Sequence, residues 1–398
     1  MNIFPPRKTA TCREKPRLLL LTHYYPAHRG GVEIVAGQLA ARLAECYDIH
    51  WLAADCDPVP DIAGITCTPQ RAWNALEKHG LPWPVWSFRH WWRLRGMIAE
   101  SDILHIHDFI YPAHLLAIPL AKALGKPVVL TQHIGDIEYS NPLLRNILKA
   151  INRSFGRWML GMSSQAVFIS PRVKTGFEAY TKFSRTPLYW PNGVDSRIFK
   201  PSPLPATRSK LRELHGLDPM KPVLLFVGRF VERKGLPLLR QMVEMRPDWQ
   251  WCFAGWGPLD PTAWQEPNVF VWQGRQGASL ASLYQLADLL ILPSHGEGFP
   301  LVVQESLACG TPAIVSEETA AGGPEFPGCI IPVAHSPQKP DPAHWISVIE
   351  NQLNTDKQAQ YRQLSAEKAK QSWCWENLAT NYKKLFAGLV NRERTQKR

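Results

Sequence analysis

The sequence lacks several features, and each absence narrows what the chain can be. None of its eight cysteines, Cys12, Cys46, Cys56, Cys67, Cys252, Cys309, Cys329 and Cys374, forms a CxxC pair, and no His/Cys group has zinc-site spacing. Dispersed cysteines in a chain this long fit a reducing compartment, and the expected location is the cytoplasm. No stretch approaches the ~20 apolar residues needed to cross a bilayer. The longest candidate, around His114 to Leu124, is broken by Pro119 and Lys122. The apolar run Leu18–Leu21 is too short for a signal peptide. No internal repeat or low-complexity tract is evident.

What remains is an ordinary globular composition, 45% hydrophobic and 20% charged, able to build full cores. The 398 residues are enough for two or three domains. The net charge of +11 suits an anionic partner: a nucleotide diphosphate, nucleic acid or an acidic membrane face. Part of it sits in the ends. Arg7, Lys8, Arg13, Lys15 and Arg17 stand against Glu14 alone, and Arg392, Arg394, Lys397 and Arg398 close the chain. These read as loose, solvated tails, the first over residues 1–16.

Between the tails, short apolar runs alternate with amphipathic stretches. Strands are expected at Arg17–Thr22, Ile49–Ala53, Ile103–Ile106, Pro127–Thr131 and Ala166–Ser170. Helices are expected at Val32–Glu45, Trp86–Ala99 and Pro112–Leu124, with one long helix at Pro142–Met162. Pro187–Pro205, rich in Pro, Asn, Gly and Ser, reads as a connection. The alternation then restarts with strands at Val223–Val227, Trp251–Ala254, Val269–Trp272, Leu289–Leu292 and Ala313–Val315. A helix opens at Gly235 and an amphipathic helix closes the pattern at Trp375–Val390. Such alternation is the mark of parallel sheets covered on both faces. Two α/β units follow, residues 17–200 and 201–374, ahead of the closing segment 375–398.

In such sheets ligands sit beyond the carboxyl ends of the strands, so the loops there are where chemistry belongs. His23–Gly31 carries Gly30 and Gly31 ahead of a helix whose free N–H groups suit an anion. A plain tight turn would look the same. Gly228–Gly235 places Arg229 and Lys234 before a helix N-terminus, where the dipole disfavours cations. That misfit points to a bound anion, each charge-assisted bond contributing ~1.5–3 kcal/mol. The alternative is a solvated charged loop. Ser294–Glu305 sets Glu297 in a glycine-flanked turn, Pro300 at a helix start and Glu305 about one and a half turns in. A carboxylate can hold a vicinal diol through both oxygens, so two of them can grip a ribose and a hexose. The alternative is that both acids serve only the turn and the helix start.

Taken together, the chain resembles glycosyltransferase family 4, the retaining nucleotide-sugar transferases of GT-B fold, over roughly residues 17–390. The most specific element is E-x7-E, Glu297 and Glu305 in EGFPLVVQE. The others are GGVE from Gly30, DILHIHD from Asp102, TQHIGD from Thr131, PNGVDSRIF from Pro191, GRFVERKG, and GTP from Gly310. The resemblance implies two Rossmann-like domains facing a central cleft, with the last helix crossing back to the first. It implies that Arg229 and Lys234 hold the donor diphosphate, Glu305 the ribose and Glu297 the transferred sugar. Gly298, Phe299, Pro300 and Leu301 belong to the donor-binding set, with amides at Phe299 to Leu301 on sugar and phosphate. Arg275 would meet the base, Gly30 and Gly31 would touch the diphosphate, and His133 would lie near the donor sugar. The family pattern has Asp directly after that histidine. Here two residues intervene before Asp136.

The activity implied is transfer of a hexose-type sugar from a UDP- or GDP-sugar to a glycan or lipid-linked acceptor, in bacterial surface polysaccharide or glycolipid synthesis. Catalytic roles would fall to His133, Arg229, Lys234 and Glu297, with no cofactor or metal. The implied mechanism uses no enzyme nucleophile: the acceptor approaches the face that the nucleotide leaves, and a donor phosphate oxygen helps take its proton. Asp55 and Asp57 form a DxD, a metal signature of another transferase fold, and read here as a loop. An epimerase or phosphorylase on the same fold is the competing enzyme reading, and a sugar-binding or nucleic-acid-binding protein the competing non-enzyme one. No nucleic-acid recognition module is recognisable, so none is expected as partner. Trp83–Arg95 (WPVWSFRHWWRLR) interleaves tryptophan and arginine. It reads either as a seat on an anionic membrane, at the inner face of the inner membrane, or as a helix whose tryptophans are core.

Overall fold

The computed structural model describes residues 15–28, 30–75, 83–135, 142–202, 205–336 and 339–396. Its contacts group these residues into two units. One comprises the residues up to 135, 147–192 and those from 375 onward; the other comprises 193–374 with the described residues just before 147. Arg7, Lys8, Arg13, Lys397, Arg398 and Asp136 lie outside the described residues.

The first unit opens with strand β1 (Arg17–Leu21), helix α1 (Gly31–Leu43), β2 (Asp48–Ala54) and β3 (Ile65–Gln70). A small antiparallel pair follows, β4 (Ala72–Trp73) and β5 (Val85–Trp86). Then come α2 (Phe88–Glu100), β6 (Ile103–His107), α3 (Pro112–Ala123) and β7 (Val128–Gln132). Next comes α4 (Pro142–Ile151), of which the part from Ile147 groups with this unit, and then α5 (Arg157–Met162), β8 (Gln165–Phe168), α6 (Pro171–Glu178) and β9 (Leu188–Tyr189). Seven strands form one parallel sheet in the order β3-β2-β1-β6-β7-β8-β9. After Arg17 the strand RLLLL is apolar because helices cover both faces of a parallel sheet; Leu18 to Leu21 are all buried.

The second unit repeats the scheme with α7 (Pro205–Leu214), β10 (Val223–Arg229), α8 (Leu236–Met245), β11 (Gln250–Trp256) and β12 (Val269–Trp272). It goes on through α9 (Gly277–Leu286), β13 (Leu289–Leu292), α10 (Leu301–Ala308), β14 (Ala313–Ser316), α11 (Glu317–Ala320) and β15 (Ile330–Val333), and ends with α12 (Pro342–Leu353) and α13 (Gln358–Ser372). Its six strands are parallel in the order β12-β11-β10-β13-β14-β15. Both sheets therefore reverse direction once, between β1 and β6 and between β10 and β13. Those reversals are where ligands settle in open α/β sheets.

The last helix, α14 (Trp375–Gln396), belongs to the first unit. It packs on α1 and carries Tyr382 and Phe386 against His105, with ring centroids 5.3 Å away in each case. Tyr382 also meets Thr131 Oγ1 through its hydroxyl at 2.8 Å.

Three expectations change. The long helix at 142–162 is interrupted by a π-helical turn at Asn152–Gly156. Ser154 Oγ donates to the Ala150 carbonyl at 2.7 Å, and Gly156 lies flat against Phe109, where an added Cβ would come within 2.6 Å of the ring. The proposed connection also contains β9, the edge strand beside β8. Finally, β3 and β15 escaped the sequence reading. The β3 run ITCTPQ is polar and mostly half-buried at a sheet edge, so it shows no apolar signature.

Candidate functional site

In the second unit the expected residues gather where β10 and β13 end side by side. Lys234 Nζ pairs with Glu297 Oε1 at 2.7 Å, and Arg233 Nη1 reaches the same oxygen at 3.3 Å. The two loops are joined through their backbones, since His295 N–H donates to Arg233 O at 3.1 Å. Gly235 makes this possible. Its φ of +83° is left-handed, and an added Cβ would lie 2.5 Å from Pro293 Cγ. Burial drives the Glu297 carboxyl upward, but Lys234 and Arg233 outweigh it, and its pKa falls below the ordinary value. Burial lowers the Lys234 pKa while Glu297 opposes the fall. Glu297 is therefore ionised at neutral pH, with Lys234 Nζ as its nearest cationic partner. Arg229 ends β10 and keeps its Nε buried with no hydrogen-bond partner among the described residues. A buried, unsatisfied cationic donor is rare enough to need a reason.

Glu305 stands on α10, its Oε2 accepting a hydrogen bond of 2.9 Å from the Tyr284 hydroxyl. Burial raises its pKa to about 7 despite that bond. Gly298 to Pro300 are buried and Leu301 is half-buried. The Phe299 ring packs inward on Trp373, centroids 5.7 Å apart, so only its backbone is available to a ligand. The loop is fixed from below: Ser316 Oγ donates to Ser294 O at 2.6 Å, and Gly296 N–H donates to Glu318 Oε1 at 3.1 Å. Arg275 stands apart. It is exposed after the edge strand β12, two strands from β10, where its charge helps depress the His215 pKa, behind the larger effect of burial.

In the first unit the ends of β1, β6 and β7 hold a buried set of histidines and acids. His23 Nε2 pairs with Glu33 Oε1 at 2.8 Å and stacks on Tyr111, centroids 3.7 Å apart. Gly30 has ordinary dihedrals, so it is not there for a special turn. It is glycine because the Glu33 carboxylate folds back on it: an added Cβ would sit 2.0 Å from Glu33 Oε2. Around Gly31 an added Cβ meets nothing within 4 Å.

His133 is buried and carried by Asp108. Asp108 Oδ1 accepts the backbone N–H groups of His133 at 2.7 Å and Ile134 at 3.3 Å. Asp108 adopts φ +58°, a strained value for a residue with a side chain, and its Oδ2 is buried without a partner among the described residues. Burial raises its pKa to about 7 against the pull of those two N–H groups. His114 Nδ1–H donates to the Asp108 carbonyl at 2.6 Å. His133 Nε2 lies 2.9 Å from His107 Nδ1. Burial lowers the His133 pKa to about 3 and takes that of His107 well below its ordinary value, so both rings are neutral.

Comparison with known proteins covers both sets of residues. Residues 29–197 match the family described as Glycosyltransferase Family 4, and 207–325 match Glycosyl transferases group 1. A further match, over 274–381, is to Family 4 Glycosyltransferase in conflict systems. The chain belongs to glycosyltransferase family 4. It is 29% identical over 277 residues to the D-inositol 3-phosphate glycosyltransferase of Segniliparus rotundus, covering 64% of this chain and 60% of that one. It is 28% identical over 246 residues to the GDP-mannose-dependent alpha-(1-6)-phosphatidylinositol monomannoside mannosyltransferase of Mycobacterium tuberculosis, covering 57% and 58%. The chain thus spans less than two thirds of these relatives' own lengths. The Anabaena HepE protein in complex with UDP shares the fold, with a TM-score of 0.71 at 16% identity over 94% of this chain and 100% of that one. The architecture of two parallel-sheet α/β domains is therefore GT-B.

Several residues of this family 4 chain were not singled out from sequence. Arg233 shares Glu297 with Lys234, yet in GRFVERKG it looks like one more loop cation. Tyr284 is remote in sequence from the glutamate it binds. Glu33, His107 and Asp108 lay inside quoted motifs, so a signal existed, but spacing alone gave them no role. The DxD carboxylates serve local structure: Asp57 Oδ2 meets His28 Nδ1 at 3.0 Å and Asp55 Oδ1 accepts the Ala72 N–H at 3.0 Å. In Trp83–Arg95, Trp86 and Leu94 are buried while Trp92, Arg93 and Arg95 face solvent. Neither reading of that stretch describes all of it. Among the described residues no helix is long and apolar enough to cross a membrane.

Proposed function

We propose that this chain transfers a sugar from a nucleotide-sugar donor, UDP- or GDP-linked, to a glycan or lipid-linked acceptor. The observation that carries this reading is the cation set at the β10–β13 switch. Arg233 and Lys234 pair with Glu297, and Arg229, near enough for its charge to help lower the Lys234 pKa behind the larger effect of burial, keeps one buried donor unused among the described residues. A diphosphate beside it gives that donor a partner and gives Lys234 a second anion. Positive charge fixed in place then stabilises the leaving diphosphate without reorganising, the usual largest source of rate in such steps. In this role the donor needs no metal. Glu297, held ionised, accepts hydrogen bonds from the hydroxyls of the transferred sugar, and Glu305 Oε1 from the ribose while Tyr284 occupies Oε2. Arg275 is assigned to the base and Gly30 and Gly31 to the diphosphate. The names of the inositol-phosphate and mannoside relatives support a GDP- or similar donor and a polyol or lipid-linked acceptor.

The first unit supplies a neutral hydrogen bond instead of charge. In the His107–His133 contact one ring donates and the other accepts. His107 Nε2 is buried with no partner among the described residues. A hydrogen there would be an orphaned buried N–H, whereas a bare lone pair costs less. The hydrogen is thus assigned to His107 Nδ1, which donates to His133 Nε2. His133 then carries its own hydrogen at Nδ1. It serves as a fixed donor toward a sugar hydroxyl, not as a base. Acceptor deprotonation falls to the donor phosphate, with retention of configuration, and the protein's part is positioning.

The test is a thermal-shift and calorimetric screen of UDP, GDP, ADP and their sugar conjugates without metal, on wild type and Lys234→Ala. A nucleotide that stabilises wild type and not the variant names the base and locates the diphosphate. No shift at millimolar concentration with any nucleotide overturns the assignment. Incubation with donor alone separates transfer from epimerisation, because an epimerase needs no acceptor.

A further inference from the structure

We infer that the first unit holds a site for a soluble di- or triphosphate at the end of its sheet opposite the histidines. A cavity of about 340 Å³ opens there, and Lys122, Lys126, Arg185 and Arg392 line it. No acid is among its lining residues. Among the described residues Lys122, Arg185 and Arg392 have no ion-pair partner. Burial lowers the Arg185 pKa, and the charge of Arg392 lowers it further. The two guanidiniums therefore repel each other with nothing in the lining to offset the cost. Helix dipoles account for only part of the set. Lys122 lies in the last turn of α3 and Arg392 near the end of α14, where a cation is favoured. Arg185 lies in the connection between α6 and β9 and has no helix end of its own to serve.

The remaining lining groups suit a phosphate as well. Lys126 is tied in place, its Nζ donating to the Ser101 carbonyl at 2.6 Å. Ser164 Oγ accepts the Val128 N–H at 3.1 Å, which leaves its own hydrogen to donate. Pro127 and Leu389 are buried, so the cavity offers charge and hydrogen bonds and little apolar area. Two guanidinium forks and two ammonium groups on one concave wall match the several charges of a compact oligophosphate. A single phosphate meets only part of them. The cavity also stands apart from the other polar sites. Pro127 and Ser164 precede the first residues of β7 and β8. His133 follows the far end of β7, roughly 20 Å away at about 3.3 Å per residue. Helix α14 links the two ends. It brings Leu389 and Arg392 to the cavity and Tyr382 to Thr131 Oγ1, which His105 Nε2 also meets, both at 2.8 Å. An anion gripped by Arg392 thus steadies the helix that braces β7. This inference does not rest on the donor-site assignment, which concerns the second unit.

The experiment is calorimetric titration of tripolyphosphate, pyrophosphate and orthophosphate into the full chain carrying Lys234→Ala, followed by hydrogen exchange with and without tripolyphosphate. Lys234→Ala weakens anion binding at the second unit, so the binding that remains reports this cavity. The expected result is one site, tightest for tripolyphosphate and weakest for orthophosphate. Exchange is expected to slow over residues 124–129 and in the last turns of α14. Adding Arg185→Gln with Arg392→Gln is expected to weaken binding at least ~tenfold. Thermal melting checks that each variant folds, and Lys122→Gln alone serves where the pair does not. Absence of binding at millimolar tripolyphosphate overturns the proposal. So does orthophosphate that binds as tightly as tripolyphosphate, or undiminished binding by the cavity variants. Protection confined to residues 229–235 overturns it too, since the anion is then held by the second unit.

Discussion

At the switch point of the second unit the polar groups are charged and partly wet. Lys234, Arg233 and Glu297 neutralise one another with side chains 12%, 36% and 14% exposed. At the switch point of the first unit, apart from the Glu33 carboxylate paired with His23, they are neutral and sealed: His107 and His133 share a single hydrogen bond between uncharged rings, and Asp108 holds a loop with one oxygen while the other goes unmet among the described residues. The two sheets have the same strand order, so topology alone does not explain the contrast. The loop sequences do. GRFVERKG brings cations to a strand end and lets Glu297 compensate them. DILHIHD and TQH place imidazoles on strands so apolar that burial leaves only the neutral form. One fold thus offers fixed charge in one place and fixed hydrogen-bond donors in the other.

Removing the charge gives the largest expected effect. Lys234→Ala should lower transfer at least ~100-fold, since it deletes a donor aimed at the leaving group. It should also cost roughly 2 kcal/mol of stability, less than the 3–5 kcal/mol of a fully buried pair because Arg233 remains. Adding Glu297→Gln should restore much of the stability and none of the activity. Denaturant melts and initial rates on both variants separate the two.

Acid should divide the units. In the first, the pKa values of His50, His105, His107, His114 and His133 are lowered by burial, to about 4 for His50, about 3 for His105, His114 and His133, and well below normal for His107. A depressed histidine stabilises fully above its unfolded value of 6.5, and that stability is lost as pH falls toward the folded value. Asp108, raised to about 7, acts oppositely and offsets one of the five. In the second unit His335, lowered to about 4, is matched by Glu305, raised to about 7. The first unit should therefore loosen first, with a melting temperature on the order of 10 °C lower at about pH 5.5 than at about pH 7.5. Hydrogen exchange should place the early opening around β6 and β7. Uniform acid sensitivity across both units would contradict the contrast.

The neutral site responds more finely. His107→Phe should reduce kcat about tenfold with little change in donor KM, since it frees the ring that orients His133. His107→Asn, whose amide can donate where Nδ1–H did, should recover most of it. If His133 instead acted as a base, loss of its partner would shift the pH–rate profile, and a profile that stays in place is expected here. The smallest effect belongs to Tyr284→Phe. Loss of one hydrogen bond to Glu305 should raise donor KM about fivefold, from roughly 1 kcal/mol, and leave kcat nearly unchanged.

Much of this was readable in the residues themselves. Strands of unbroken Leu, Val and Phe announced parallel sheets. The order of motifs gave the family, and Arg229, Lys234, Glu297 and Glu305 were singled out by charge at strand ends. What stayed hidden depended on partners distant in the chain. Tyr284 looks like a core tyrosine until Glu305, 21 residues on, is placed beside it. Gly30 suggests a turn, yet its reason is the Glu33 carboxylate. The π turn in 142–162 ends at Gly156, whose lack of a side chain makes room for Phe109, and no periodicity reveals that contact.

The sequence by itself determined the two-sheet architecture and the cations that gather at the end of β10. Local apolar pattern and turn chemistry act within a few residues, and these features need no more. Only the tertiary structure decided which polar groups are neutral, which are paired and which face water. Protonation and pairing depend on what surrounds a side chain, and that environment comes from strands and helices far apart in the chain.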